Sequence, residues 1–294
     1  MTDTQSFIVA KGISKSFGRK SALREVSVNV SPGEVIGVLG KNGAGKTTLL
    51  ELILGFTRPT SGAIKLFGYD SFRLPGDAKA RVGFVPQHDE LINQLSGADQ
   101  LRLIGSFYPR WDQAMITRLS KTWEIDLGQR ISEMSVGQRQ KLSILLALGH
   151  NPDLLILDEP VASLDPLARR QFLEQIVEVA ADPGRSVIFS SHIVSDVERL
   201  ANKIWIIKDQ RLHWAGDIDH LKQSIMRVHV RALCSLPPSF SIPNALRFER
   251  QDTSATAVVY DWSEAIQERI IRETGAELDE EPLALEDIFL ELHR

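Results

Sequence analysis

The chain has 294 residues and a formal net charge of -4 at pH 7. This length suits one large α/β domain with a small appended domain, and the charge gives no sign of the basic face that nucleic-acid binding uses. The single cysteine, Cys234, excludes an internal disulfide and a cysteine-rich metal site. The N-terminal segment lacks the pattern of a signal peptide, and no apolar run approaches the ~20 residues of a membrane-spanning helix. We therefore expect a cytoplasmic location, with any membrane role supplied by another chain.

The first part of the chain predicts an α/β sheet domain. Residues 6 to about 36 have the pattern of strands separated by turns. Apolar runs then predict strands of a mostly parallel sheet with helices on both faces, at Val35–Leu39, Val82–Val85, Leu154–Leu157 and 186–189. A helix is predicted at 47–54, directly after a glycine-rich loop. Ligands of such sheets bind at the carboxyl ends of the strands, and polar residues follow these four.

The remaining segments predict an insertion and an appendage. Residues 90–150 have a mainly helical pattern and interrupt the sheet strands. A hairpin is predicted at 204–214, and the sheet domain is predicted to end soon after it, which gives the bounds 6–224. From 225 to 294 prolines and short alternating runs predict a small α+β domain, with a strand at 255–260 and helices at 263–274 and 285–293.

The glycine-rich loop carries the first functional signal. Residues 40–47 read Gly-Lys-Asn-Gly-Ala-Gly-Lys-Thr and match G-x-x-x-x-G-K-[ST]. Glycines let successive N–H groups face an anion, and the helix N-terminus adds positive potential. A glycine-rich turn with a surface lysine is the ordinary alternative, but the flanking strand and helix favour a phosphate loop. The candidate ATP-binding residues here are Gly40, Asn42, Gly43, Ala44, Gly45, Lys46, Thr47 and Thr48, with Lys46 on the β- and γ-phosphates and Thr47 on Mg²⁺.

Two carboxylates follow the third predicted strand. Asp158 and Glu159 come directly after the apolar run 154–157. Adjacent strand residues point to opposite faces, so the two acids must have different roles. Asp158 suits the Mg²⁺ shell, and Glu159 suits the attacking water. The alternative is a polar strand end before Pro160.

A short stretch between these motifs carries a family resemblance. Residues 134–138 read Met-Ser-Val-Gly-Gln, and Ser135 with Gln138 forms the S-x-x-Q pattern of a capping box at a helix start. The stretch resembles the signature motif of ATP-binding cassette (ABC) ATPases, usually Leu-Ser-Gly-Gly-Gln. Val136 replaces the first glycine, whereas Gly137 is kept. The resemblance implies that Ser135, Gly137 and Gln138 contact ATP.

Four further matches occur in the order that the family shows. Gln87 follows a strand, like the Q-loop; 163–165 (Ser-Leu-Asp) resembles the D-loop; His192 resembles the switch histidine; and Phe17 lies where the family stacks an aromatic ring on adenine. Each alone has an ordinary explanation as a loop residue, a helix cap or a core side chain. Asp165 before proline also predicts a helix N-cap. Together the motifs identify residues 6–220 as similar to ABC ATPases.

The sequence also departs from the family pattern after the acids. Val161 and Ser163 stand where threonine and glycine are commoner in the family. The resemblance nevertheless implies ATP hydrolysis by Glu159 and His192 together with Lys46. It also implies a Mg²⁺ site formed by Thr47, Gln87 and Asp158.

The family resemblance further implies how the chain is assembled. Two cassettes, a homodimer or a paired subunit, would close head to tail around ATP, and the helical insertion would grip a cytoplasmic helix of a separate membrane permease. The long C-terminal extension, the ending 285–290 and the segment 108–112 resemble bacterial ABC-2 type exporters, which implies a location on the inner face of the membrane.

Two other classes remain as alternatives. One is a soluble ABC ATPase that acts on DNA or the ribosome, although the chain has no second cassette, long coiled coil or basic run. The other is a regulatory protein that holds ATP without turnover, which the intact Glu159 and His192 argue against.

Overall fold

The computed structural model describes residues 6–161 and 164–293. The chain divides into two compact units, Met1–Ala215 and Gly216–Arg294. The predicted architecture is confirmed: an α/β core with an antiparallel N-terminal sheet, a helical insertion and a C-terminal α+β module. In the described ranges no helix is long and apolar enough to cross a membrane.

The first unit contains two sheets. Its strands are β1 (Ile8–Phe17), β2 (Lys20–Val30), β3 (Val35–Leu39), β4 (Ser61–Leu66), β5 (Tyr69–Asp70), β6 (Val82–Val85), β7 (Leu154–Leu157), β8 (Ser186–Ser191), β9 (Lys203–Lys208) and β10 (Arg211–Asp217), of which residues 211–215 belong to this unit. The small sheet has the order β2-β1-β4-β5 and is antiparallel. In β2 the buried Val26, Val28 and Val30 alternate with exposed polar residues, as expected for a strand with one face on the core.

The central sheet has six strands in the order β10-β9-β3-β8-β7-β6. Strand β3 pairs in parallel with β8 and β9, and β7 pairs in parallel with β6 and β8. Every residue of β3, β7 and β8 is buried, because these strands are covered on both faces. The parallel direction brings the carboxyl ends of β3, β6, β7 and β8 to one edge of the sheet.

Helices cover this sheet and form the insertion. They are α1 (Lys46–Ile53), α2 (Gly76–Lys79), α3 (Gly97–Gly105), α4 (Gln113–Thr122), α5 (Val136–Leu148), α6 (Pro166–Ala180) and α7 (Val194–Leu200). The predicted insertion between β6 and β7 contains α3, α4 and α5. Helix α7 packs so closely on β3 that a Cβ at Gly37 would lie 2.3 Å from Val197 Cγ1.

The predicted hairpin is formed by β9 and β10. Asp209 and Gln210 connect them, with φ angles of 50° and 65°. Positive φ at both central residues is the geometry of the two-residue hairpin turn whose twist matches that of the strands.

The second unit is an antiparallel sheet with three helices. Its elements are α8 (Ile218–Ser224), β11 (Ile225–Arg231), β12 (Ala245–Arg250), β13 (Ser254–Tyr260), α9 (Glu264–Thr274), β14 (Glu277–Pro282) and α10 (Leu285–Leu292). The strand order is β12-β13-β11-β14. Val228, Val230 and Ile270 belong to its own hydrophobic core. The predicted strand at 255–260 and both predicted helices are present, with ends that differ by one residue.

Candidate functional site

The phosphate loop lies between β3 and α1, as predicted. Gly45 is the residue before α1 and has a φ of 112°, and a Cβ there would lie 2.6 Å from the carbonyl oxygen of Ala22. A Cβ at Gly40 would lie 2.6 Å from the carbonyl oxygen of Ile207. Both approaches are to backbone atoms, which cannot move aside as a flexible side chain can. Glycine is therefore required at both ends of the loop.

A cavity of about 330 Å³ opens over this loop. It is lined by Phe17, Lys20, Ser21, Ala22, Lys41, Asn42, Gly43, Gly45, Lys46, Thr47, Thr48, Gln87 and Glu159. A cavity over a glycine-rich helix start suits a phosphate group, because the first N–H groups of a helix have no intrahelical partner. Gly45 has no side chain with which to cap α1, so those donors are left for a ligand.

Lys46 is buried at the floor of the cavity. Its Nζ donates to the carbonyl oxygen of Gly40 at 2.8 Å and lies 3.2 Å from Glu159 Oε1. The lysine is 6% exposed and Glu159 is 8% exposed. A buried ammonium requires a counter-charge, and in this structure the carboxylate of Glu159 supplies it.

The two acids differ in environment, as their alternation predicts. Asp158 is 1% exposed, and its Oδ1 accepts from Ser190 Oγ at 2.6 Å. Glu159 has a φ of 49°, and its Oε2 lies 2.7 Å from His192 Nδ1. The ring of His192 is about half exposed, with 53% of its surface accessible. Glu159 therefore bridges a buried lysine and an accessible histidine at the carboxyl edge of the sheet.

Gln87 and Phe17 reach the cavity from two other strands. Gln87 follows β6, and Phe17 ends β1; both side chains are exposed and line the cavity. Lys15 Nζ lies 4.9 Å from the centre of the Phe17 ring. An exposed ring at the mouth of a phosphate cavity offers a flat apolar face to a base.

The signature stretch lies elsewhere on the unit. Ser135 caps α5 by accepting from Gln138 N at 3.2 Å, and Gln138 Oε1 accepts from Ser135 N at 2.8 Å, so the predicted capping box is present. Val136 is 65% exposed. Among the described residues that line the cavity, none comes from α5. A single chain thus does not bring Ser135, Gly137 and Gln138 to its own phosphate loop.

Asp165 caps α6 and Pro166 is the first residue of that helix, as predicted. The Oδ1 atom of Asp165 accepts hydrogen bonds from the backbone N–H groups of Leu167 and Ala168, each at 2.9 Å. These two hydrogen bonds hold the pKa of Asp165 below its usual range, with the bond from Ala168 the larger cause. Asp165 does not line the cavity of the described chain. Ser163 lies outside the described residues.

Several predicted residues support the site without lining it. Ala44 is buried under the loop, next to Gly40. Asp158 and His192 do not line the cavity, but hydrogen bonds link them to Glu159, which does: His192 directly and Asp158 through Ser190. The cavity wall also contains Lys20, Ser21, Ala22 and Lys41, which were not predicted from the sequence. Ser190 was not predicted either, although a hydroxyl in a buried strand is a signal of a buried polar contact.

An ion pair connects the Gln87 segment with helix α5. Arg139 Nε donates to Asp89 Oδ2 at 2.9 Å and its Nη2 to Asp89 Oδ1 at 2.5 Å. Arg139 Nη1 also donates to Asn93 Oδ1 at 2.7 Å. The hydrogen bonds from Arg139 hold the pKa of Asp89 below its usual range. The start of α5 is therefore tied to the segment that follows β6.

A second cavity, of about 500 Å³, forms a groove beside the helical insertion. Its apolar walls include Phe56, Phe72, Phe84, Ile104 and Tyr108. Phe56 is 62% exposed and Phe72 is 42% exposed. Large exposed aromatic side chains in one groove are typical of a protein-binding surface.

A phosphate loop after the central parallel strand β3, with a carboxylate pair after β7, two strands away in the same sheet, defines a P-loop nucleotide-binding protein. Comparison with known proteins narrows this class. The family model of the ABC transporter domain matches residues 23–162. The Nod factor export ATP-binding protein I of Rhizobium etli is 30% identical over 308 residues, covering 99% of this chain and 95% of the relative. The ATP-binding protein YtrB of Bacillus subtilis is 26% identical, covering 96% and 97%.

Solved structures agree in fold. The ATP-binding subunit of an ABC transporter has a TM-score of 0.68 and 29% identity, covering 74% of this chain and 92% of that one. The chain belongs to the family of ABC transporter ATP-binding proteins, as its motifs predict. The prediction of an ATP-binding and ATP-hydrolysing subunit of an ABC transporter is confirmed at the level of this family.

Proposed function

We propose that this chain is the Mg-ATP-hydrolysing motor of an exporter, and that residues 6–224 form the motor and 225–294 an accessory domain. The observation that carries the proposal is the placement of Glu159 between Lys46 and His192 at the phosphate cavity. The Nod factor export protein of Rhizobium etli matches over nearly the whole chain, including the C-terminal extension, which favours export.

ATP binding would use the loop and the wall of the cavity. The backbone of residues 40–47 and the hydroxyls of Thr47 and Thr48 surround the phosphates, and Phe17 stacks on adenine. Lys46 already has a buried anionic partner in Glu159. A γ-phosphate offers the ammonium a second anion, so binding would exchange one counter-charge for another. That exchange would free the carboxylate of Glu159 for water.

The donor set near the loop fits Mg²⁺. A threonine hydroxyl, an amide oxygen and a carboxylate, from Thr47, Gln87 and Asp158, are the hard oxygen ligands that this ion prefers. Proteins usually hold Mg²⁺ through one or two carboxylates together with substrate phosphates. When bound, the ion would neutralise charge that develops on the phosphates.

Hydrolysis would then depend on Glu159 and His192. A carboxylate near the γ-phosphate can orient water and accept its proton. His192 Nδ1 is 2.7 Å from Glu159 Oε2, so the ring fixes one carboxylate oxygen and leaves the other for the water. Because the ring is accessible, it can also contact the γ-phosphate.

The second half of each site would come from another copy. The capped tip of α5 lies away from its own cavity, and Val136 is exposed there. In a head-to-tail dimer the tip would cover the γ-phosphate of the partner and exclude bulk water. Asp165, exposed at the start of α6, would contribute to the same interface, while Val136 in place of glycine would keep the tip slightly farther from the nucleotide.

The membrane permease would bind in the aromatic groove. Pro86, directly before Gln87, lines this groove, so a helix seated there would adjoin the nucleotide cavity. Exposed Phe56 and Phe72 suit the apolar face of an amphipathic helix. This docking would place the chain on the cytoplasmic face of the membrane, as the family resemblance implies.

The variant Glu159→Gln tests the proposal. It keeps the shape of the side chain but removes the base, which typically contributes about 10²- to 10⁴-fold. We expect ATP binding to persist, turnover to fall by that factor, and a closed dimer to accumulate in light scattering with Mg-ATP. Glu174→Gln, at an exposed ion pair on α6, is the control and should behave as wild type. A Glu159→Gln chain that stays monomeric and hydrolyses ATP normally would remove Glu159 from this role.

A further inference from the structure

The hydroxyl of Ser190 connects the two acids. Ser190 lies on β8 and is 0% exposed. Its Oγ donates to Asp158 Oδ1 at 2.6 Å and accepts from the backbone N–H of Glu159 at 2.8 Å. One buried hydroxyl thus contacts the side chain of one acid and the backbone of the other.

The first contact fixes the orientation of Asp158. The carboxylate is 1% exposed, and its own backbone N–H donates to Val85 O at 2.9 Å. With Oδ1 held by Ser190, rotation of the carboxylate would break a buried hydrogen bond. The other oxygen therefore keeps one direction, and a ligand held in one direction binds a metal better than a mobile one.

The second contact supports a strained backbone. Glu159 has a φ of 49°, a conformation that few residues other than glycine adopt. The hydrogen bond from its N–H to Ser190 Oγ stabilises this turn directly after β7. This backbone conformation places the Glu159 carboxylate between Lys46 and His192.

We infer that Ser190 is a positioning residue for both acids, and that its hydroxyl acts through them on metal binding and on turnover. The inference rests on the proposed function, because it assumes that Asp158 holds Mg²⁺ and that Glu159 orients the water. Ser190 does not line the cavity of the described chain, so it would not contact ATP itself.

The test compares Ser190→Ala with Ser190→Thr, which keeps the hydroxyl. Ser186→Ala is the matched control: Ser186 lies on the same strand, is also 0% exposed, and donates its Oγ to Ser31 O at 2.9 Å. The first readout is Mn²⁺ binding by electron paramagnetic resonance, in the presence of a non-hydrolysable ATP analogue. The second is steady-state hydrolysis, separated into kcat and KM.

Ser190→Ala should weaken Mn²⁺ binding and lower kcat by about 10- to 100-fold each, the usual effect of removing a group that orients a metal ligand. Binding of the analogue in EDTA should not change, since the loop is intact. Ser190→Thr should keep Mn²⁺ binding and kcat close to those of wild type, and Ser186→Ala should change neither. If Ser190→Ala fails to fold, Ser190→Cys takes its place. Its loss of Mn²⁺ affinity and of kcat should be smaller than the range given for Ser190→Ala but larger than the loss in Ser190→Thr.

Wild-type Mn²⁺ affinity and kcat in Ser190→Ala, or an equal loss in Ser186→Ala, would overturn the inference. The same result in Ser190→Cys would overturn it where the alanine variant does not fold. These outcomes are separable from failure of the proposed function. That failure would appear as normal hydrolysis by Glu159→Gln, whereas the inference fails alone if Glu159→Gln loses turnover and Ser190→Ala does not.

Discussion

The phosphate loop and the signature stretch both end at the N-terminus of a helix, but the two helix starts are built differently. Helix α1 begins after Gly45, which has no side chain, and a cavity lies over its first turn. Helix α5 begins after Ser135, whose side chain and that of Gln138 cap it reciprocally. The first helix start leaves its donors for a ligand, whereas the second has two of them occupied within the chain.

This difference between the two helix starts fits the proposed site that two copies of the chain would share. The uncapped start of α1 is lined by two charged side chains, Lys46 and Glu159. A helix start that is already capped is stable without a ligand and can be exposed on the surface. In the proposed dimer, the signature tip would gain a ligand when a second copy presents its phosphate loop.

Removal of Lys46 should produce the largest effect on the first helix start. Its ammonium is the buried positive charge at the cavity, and a hydrogen bond to a charged group contributes about 1.5–3 kcal/mol. Lys46→Ala should therefore weaken ATP binding by roughly 10- to 100-fold in a direct titration. Lys65→Ala, at an exposed lysine on β4, is the control. Unchanged affinity in Lys46→Ala would mean that the loop backbone alone binds the nucleotide.

Loss of the Asp89–Arg139 ion pair should lower the stability of the chain, because this pair ties the start of α5 to the segment that follows β6. Asp89→Asn leaves Arg139 without its carboxylate, at a cost of about 1–3 kcal/mol in the free energy of unfolding at pH 7. The hydrogen bonds from Arg139 hold the folded-state pKa of Asp89 below its unfolded-state pKa, so its contribution is present above the unfolded-state pKa and is lost as the pH falls through the folded-state pKa. The difference between the variant and wild type should narrow below about pH 4.

Chemical unfolding as a function of pH measures this contribution. The control is Glu178→Gln, which breaks the exposed ion pair between Arg118 and Glu178. It should cost less than about 1 kcal/mol, because exposed ion pairs are weak. A constant gap between Asp89→Asn and wild type down to pH 3 would contradict the assignment.

The smallest effect on stability should come from the cap itself. Ser135→Ala removes an N-cap, which costs about 1 kcal/mol. Binding of ATP to the monomer should not change, but closure of the dimer should weaken, since the hydroxyl is also the proposed contact to the partner's phosphate. Ser96→Ala removes the equivalent cap of α3 and should cost similar stability without any effect on closure. Equal closure in both variants would separate Ser135 from the interface.

Sequence reasoning recovered the elements that strong local patterns determine. Strands β3, β6 and β7 match their predicted bounds, because fully apolar runs between turns leave little choice. The predicted start of α1 was one residue late, since Lys46 is already helical after the left-handed Gly45. Strand β4 was not predicted, because exposed residues make up most of its length.

Contacts between distant segments were outside the reach of those patterns. Ser190 and Asp158 are 32 residues apart, and Arg139 and Asp89 are 50 apart. Nothing local indicates that a serine in a buried strand faces an acid on the next strand. The predicted site residues follow from the order of the motifs, whereas the side chains that hold them in place depend on the register of the sheet.

Mixing two inactive variants tests the shared site most directly. Lys46→Ala disables a phosphate loop, and Gly137→Asp places a negative charge at the start of α5, where it is compatible with the helix but repels phosphate. Each variant alone should lack ATPase activity. In an equal mixture half of the random dimers would contain one intact site, and the activity should recover to about a quarter of wild type. A mixture that stays inactive, although heterodimers form, would contradict a site built from the loop of one chain and the helix tip of another.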